Sequence, residues 1–163
     1  MNITRIAPRM RKYARQGRGK TTGPRHGWTP EMLARREEAL GPNPSGGYNH
    51  DDLGCEFYHA GLWNRAVSEF ERAVQINPWK AAFKVHLARA YLAMDHLAKA
   101  KTAAQSALKQ SPDSPEALLT LGIVCEKEGN FRLARILYER CLSHAPHWLI
   151  RRDAEENLRR NHA

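Results

Sequence analysis

Cysteine is scarce in this chain of 163 residues: Cys55, Cys125 and Cys141 are all there are. An odd number without any C-x-x-C spacing argues against a disulfide framework and against a zinc site, and suits a reducing, cytoplasmic compartment. No apolar run approaches the roughly 18 residues that cross a bilayer, so no transmembrane segment is expected. The basic start lacks the apolar stretch of a secretory leader. Its many Gly and Pro residues also interrupt the amphipathic helix of an organelle import sequence, which leaves import a minor alternative. Acids are missing between Arg5 and Arg25, where eight basic residues stand. Residues 1–46 hold 10 basic and 3 acidic side chains and residues 47–163 hold 16 and 14, so most of the net charge of +9 precedes residue 47. Charge and globular mass therefore belong to different segments, and the length excludes a large multidomain enzyme.

Seven of the eleven glycines lie at or before Gly47. A stretch so polar and so rich in glycine cannot offset its chain entropy by burial, and residues 1–28 are expected to form an extended basic arm. Arg5, Arg9, Arg11, Lys12, Arg15, Arg18, Lys20 and Arg25, together with Tyr13, His26 and Trp28, combine phosphate-seeking charge with rings that can stack. The arm thus suits either an acidic protein surface or nucleic acid held through residues 5–25. Gly19-Lys20-Thr21 matches the end of a phosphate-binding loop, but Ala14 stands where its first glycine belongs and no strand precedes it. Thr29 is a plausible N-cap, Pro30 suits the first helical position, and Met32, Leu33, Arg36, Ala39 and Leu40 follow at helical spacing until Gly41 and Pro42.

Beyond a linker at 41–47 the sequence repeats itself. Pro78, Pro112 and Pro146 are 34 residues apart, and the same step carries Leu53 to Leu87 to Leu121, Ala66 to Ala100 to Ala134, and Ala73 to Ala107 to Cys141. Gly54, Ala88 and Gly122 stay small; Phe57, Tyr91 and Cys125, then Trp63, Leu97 and Phe131, stay apolar or aromatic. Each unit shows two helical patterns with a break at 60–61, 93–95 or 128–130, and proline ends the second helix. Small residues let paired helices approach. Trp63, Leu97 and Phe131 are expected to fill the space after each turn, and Ile76 with Phe70 to pack toward the next unit. Ile150, Ala154 and Leu158 give a closing helix one apolar stripe, with Arg151, Arg152, Arg159 and Arg160 facing elsewhere.

These residues resemble the tetratricopeptide repeat family over roughly 47–148. Leu53-Gly54, Phe57, Gly61, Ala66, Phe70, Ala73 and Pro78 carry the first copy. Leu121-Gly122, Gly129, Phe131, Ala134, Tyr138 and Pro146 carry the third, and Leu87-Ala88, Tyr91, Ala100, Ala107 and Pro112 a looser middle one. His50, Lys84 and Leu118 stand where the family often has Trp, and Ala104 stands where it has an aromatic, which weakens the packing expected of the middle repeat. The resemblance implies an all-α solenoid of helical hairpins: an arm at 1–28, a half-repeat capping helix and linker at 29–46, repeats at 47–80, 81–114 and 115–148, and a closing helix at 149–163.

The resemblance further implies a groove lined by the first helix of each pair. Its positions here are Tyr48, Asp51, Asp52, Cys55 and His59, then Ala82, Val85, His86, Arg89 and Leu92, then Glu116, Leu119, Thr120, Ile123 and Lys127. Relatives that grip the C-terminal carboxylate of heat-shock chaperones are similar to one another in a Lys, Asn and Arg clamp. Asp51, Cys55, His86, Glu116 and Thr120 occupy those places here, so the clamp is absent. The expectation is an apolar floor of Val85, Leu92, Leu119 and Ile123 with acidic rims, suited to a segment laid apolar side down.

No catalytic constellation, metal site or cofactor site is read from the sequence. Its eight histidines show no metal-protease spacing, and G-x-S-x-G is missing. Asp51-Asp52 and Glu155-Glu156 are adjacent on helices and diverge by about 100°, while Cys125 and Cys141 fall at core positions. The expected function is a non-catalytic adaptor or accessory subunit of a larger complex, its groove taking a protein segment and its arm an acidic partner surface. The alternative is an RNA- or ribosome-associated protein whose arm contacts phosphates. Oligomeric state is left open.

Overall fold

The computed structural model describes residue 29, residues 31–32 and residues 47–161. The expected arm, Arg5 to Trp28, and most of the capping helix lie outside the described residues. At Thr29 the expected cap is in place: its hydroxyl accepts the Met32 N–H at 3.2 Å, and Glu31 and Met32 are helical. Its own backbone N–H and the Thr29 hydroxyl hold the Glu31 carboxyl below the ordinary value.

Among the described residues from 47 onward there are seven α-helices and no strand. They are α1 (Tyr48–His59), α2 (Trp63–Ile76), α3 (Ala81–Ala93), α4 (Leu97–Gln110), α5 (Pro115–Lys127), α6 (Phe131–His144) and α7 (Trp148–Asn161). Three hairpins, α1/α2, α3/α4 and α5/α6, stack in chain order through α2 on α3 and α4 on α5, and α7 packs on α5 and α6. First helices also touch one another, α1 with α3, α3 with α5 and α5 with α7.

The hairpin turns share one device. Leu62 N–H bonds Phe57 C=O at 2.9 Å and Gly61 N–H bonds Tyr58 C=O at 3.1 Å; His96 to Tyr91 with Asp95 to Leu92, and Asn130 to Cys125 with Gly129 to Glu126, repeat the pattern. These crossed bonds satisfy the last carbonyls of a helix and require a left-handed residue. Gly61 and Gly129 supply it, and in the middle repeat Asp95 adopts it at φ 61°, a conformation Asp tolerates better than most side chains. Between units, Asn77 and Ser111 leave the helical region, with ψ of 82° and 84°, and Ala145 is extended, each before its proline, whose ring disfavours a helical neighbour. Ser114 and Asn130 then cap α5 and α6 by accepting the Ala117 and Leu133 N–H groups.

The core runs along the array. Leu53, Phe57, Phe70, Leu118, Val124 and Tyr138 are essentially fully buried in it, each worth about 1.5–3 kcal/mol of apolar transfer for the aliphatic and Phe side chains. A Cβ on Gly54 would sit 2.6 Å from the Phe70 ring, and one on Gly122 would sit 2.4 Å from the Tyr138 ring. At the equivalent places the middle repeat has Ala88 and Ala104, both fully buried. A larger first-helix residue thus accompanies a smaller second-helix one, which offsets the missing aromatic.

Some packing expectations fail. Trp63 and Leu97 do rest against the core, but Phe131 is 49% exposed and Ile76 is 39% exposed. In α7 the stripe holds: Ala154 is buried and Ile150 and Leu158 pack on the core. Arg160 departs from the solvated set. It is half-buried, bonded to Asn157 and 3.9 Å from the Glu126 carboxylate.

Candidate functional site: the first-helix groove

Helical period places Tyr48, Asp52, Cys55 and His59 along α1, and the 34-residue step carries that row onto α3 and α5. At its outer end Tyr48 is half exposed, its ring edge-on to Phe83 at 5.3 Å with the Lys80 ammonium over it at 5.5 Å. Asp52, Ala82 and Glu116 are exposed, and Cys55, His59, His86 and Arg89 are half-buried. The Arg89 guanidinium lies 5.5 Å over the Tyr58 ring. Lys127 at the end of α5 is paired with the Asp95 carboxylate of the preceding turn.

The expected apolar floor is largely spent on the array itself. Val85 is taken up by Ala107 of α4 and Ala117 of α5, and Leu92 and Ile123 by the main core; only Leu119 stays half-buried. Thr120 is likewise buried, its hydroxyl bonded to the Glu116 carbonyl at 2.7 Å. What faces outward is the Tyr48 ring, Ala82, the carboxylates of Asp52 and Glu116, and Lys127, whose ammonium is taken up by Asp95.

At the boundary of the first two repeats the groove holds a cluster that sequence spacing did not reveal. Asp51 and Cys55 are four residues apart on α1, and His86 comes from α3. His86 Nδ1 is 2.7 Å from Asp51 Oδ1 and 3.9 Å from Cys55 Sγ. Burial works against a charge on His86, but the hydrogen bonds and charges of Asp51 and Cys55 outweigh it and push its pKa up to about 9. The Phe70 ring lies against the imidazole at 5.6 Å. Carboxylate and thiol approach the same ring nitrogen. A nucleophile–base–orienter relay needs both nitrogens, so this arrangement does not build one. It does bring three potential metal ligands within 4.8 Å of one another, a grouping found once among the described residues.

The other two thiols are inert by environment. Burial, with the Glu116 charge behind it, pushes Cys141 up to about 12, and burial also raises Cys125. Tyr138, buried with its hydroxyl donating to Glu126 at 2.8 Å, is raised as well.

The turns, the prolines and the stacked hairpins define the class of protein: an array of helical hairpins with its first helices forming one face. Two tetratricopeptide repeat family models match, over residues 85–147 and 57–106, and the chain belongs to the tetratricopeptide repeat family. Solved structures similar to it include the Arabidopsis OM64 TPR domain, at 22% identity and TM-score 0.64, covering 71% of this chain and 95% of that one. The first TPR of Spaghetti (RPAP3) bound to the HSP90 peptide SRMEEVD is similar at 18% identity and TM-score 0.67, covering 74% and 93%. MamA is similar at 20% identity and TM-score 0.65, covering 80% and 84%. At these identities the likeness establishes a shared fold. Among the described residues no helix is long and apolar enough to cross a membrane.

Proposed function

We propose that the chain is a non-catalytic adaptor or accessory subunit of a larger complex, binding a partner segment along its first-helix groove while the basic arm holds an acidic partner surface. Family membership supports protein–protein interaction as the general role. The observation that carries the finer reading is the division of the first-helix row. Its apolar positions Val85, Leu92 and Ile123 are buried, while Asp52 and Glu116 remain exposed beside the half-exposed ring of Tyr48. Such a surface suits a segment that presents cationic side chains to carboxylates, and an anionic C-terminus would meet Asp52 and Glu116 without any cationic clamp to receive it.

Capture by the tagged full chain, read by mass spectrometry, tests this. Charge reversal with Asp52→Lys and Glu116→Lys should reduce partner capture about tenfold or more while leaving helical circular dichroism unchanged. Unchanged capture by the folded double variant removes the groove from the account. Deleting residues 1–28 should weaken capture independently. Loss of association after nuclease treatment of the native complex would instead favour an arm that contacts RNA phosphates.

A further inference from the structure

The first repeat departs from the other two at a buried place on the groove side of its first helix. The 34-residue step leads from Asp51 to Val85 and Leu119, and from Cys55 to Arg89 and Ile123. Val85 is buried, so packing at this position is satisfied by an apolar side chain, yet α1 places there a carboxylate only 7% exposed. A buried carboxylate needs compensation. Asp51 finds it in His86, and Cys55 brings a thiol to the same imidazole nitrogen from one turn further along α1. A buried ion pair alone would account for Asp51 and His86 but leaves the converging thiol without a role.

We propose that Asp51, Cys55 and His86 form a binding site for a divalent ion of the zinc class, held between the first helices of the first two repeats. The donor set decides the class of ion: thiolate and imidazole suit zinc-like ions and disfavour magnesium and calcium, which take oxygen ligands. Geometry agrees. Bonds of about 2.0–2.3 Å in a tetrahedron set donor atoms roughly 3.3–3.8 Å apart. Cys55 Sγ and His86 Nδ1 stand near that separation at 3.9 Å, and Asp51 Oδ1 must part from His86 by less than about 1 Å from its present hydrogen bond. The ion binds thiolate and neutral imidazole, so whatever proton either donor holds leaves to solvent on its entry. Three protein donors leave one tetrahedral position for water or for a donor from a segment lying along the groove. The site stands independently of the adaptor reading.

Titration of the full chain with Co²⁺ alone, followed by Zn²⁺ competition, tests the assignment. One ion should bind per chain with a thiolate-to-cobalt absorption in the near ultraviolet that Zn²⁺ abolishes. Cys55→Ser should eliminate that absorption, and His86→Ala should weaken binding by about tenfold or more. In the unmodified chain Zn²⁺ should slow alkylation of Cys55, followed by peptide mass spectrometry, by about tenfold or more, with Cys125 and Cys141 as buried references. This measurement needs no variant and so survives one that misfolds. Binding without the thiolate absorption, its persistence in Cys55→Ser, or equal Cys55 alkylation with and without Zn²⁺ would each overturn the site.

Discussion

Gly122 and Gly129 show how the same substitution meets two different obstacles. Alanine at 122 would drive its methyl into the Tyr138 ring at 2.4 Å, and because Tyr138 is fully buried the ring has nowhere to swing. Gly122→Ala should therefore cost about 1–3 kcal/mol in denaturant unfolding, an overpacking penalty. At Gly129 nothing lies within 4 Å of an added Cβ, so only the left-handed φ of 82° resists it. Gly129→Ala should cost about 1 kcal/mol. Tyr91 supplies a pH test. Burial, then the hydrogen bond to Glu71 at 2.5 Å and that carboxylate's charge, push its pKa up to about 12 from 10.0. The folded state thus holds this proton more tightly than the unfolded one. The stabilisation is complete below pH 10 and is lost as pH rises through about 12. Ultraviolet titration of tyrosinate should show a late step that Tyr91→Phe removes.

Between elements, the first hairpin carries a polar joint where the third is apolar. His50 on α1 meets Glu69 on α2 at 2.7 Å, both buried, and Arg72 holds the other Glu69 oxygen at 2.7 Å. Two repeats further on the corresponding residues are Leu118 and Leu137, also buried. Glu69→Leu alone leaves His50 and Arg72 without their shared carboxylate and should cost about 3–5 kcal/mol in thermal or denaturant unfolding. His50→Leu with Glu69→Leu, copying the third hairpin, should recover most of that loss, because a well-packed apolar pair can replace a buried hydrogen-bonded one. A double-mutant cycle measures the coupling directly.

Over the whole molecule, stability is a sum of hairpins and of the interfaces between them, and the last interface is closed by α7. Ala154 and Asn157 are buried there and Ile150 and Leu158 pack on the core. Removing residues 148–163 should lower the unfolding midpoint and speed alkylation of Cys141, which lies in α6 beneath that interface, while Cys55 at the far end should keep its rate. Equal effects at both ends would mean that the array unfolds only as one unit.

The chain's repeat, its turns and its helix ends were legible in the sequence because each depends on residues a few positions apart. Proline stops a helix through its own ring, glycine at 61 and 129 turns it through its own φ, and the 34-residue step repeats those local rules. Asp95 hid one turn, since only its observed φ shows it doing the work of glycine. Which groove positions stay exposed was decided by tertiary packing: Val85, Leu92 and Ile123 have the polarity of a binding floor, and the array's own packing buries them. The meeting of Asp51, Cys55 and His86 belongs to the same level. No short-range pattern links residues 31 and 35 positions apart, and only the stacking of α1 against α3 brings their donor atoms to one place.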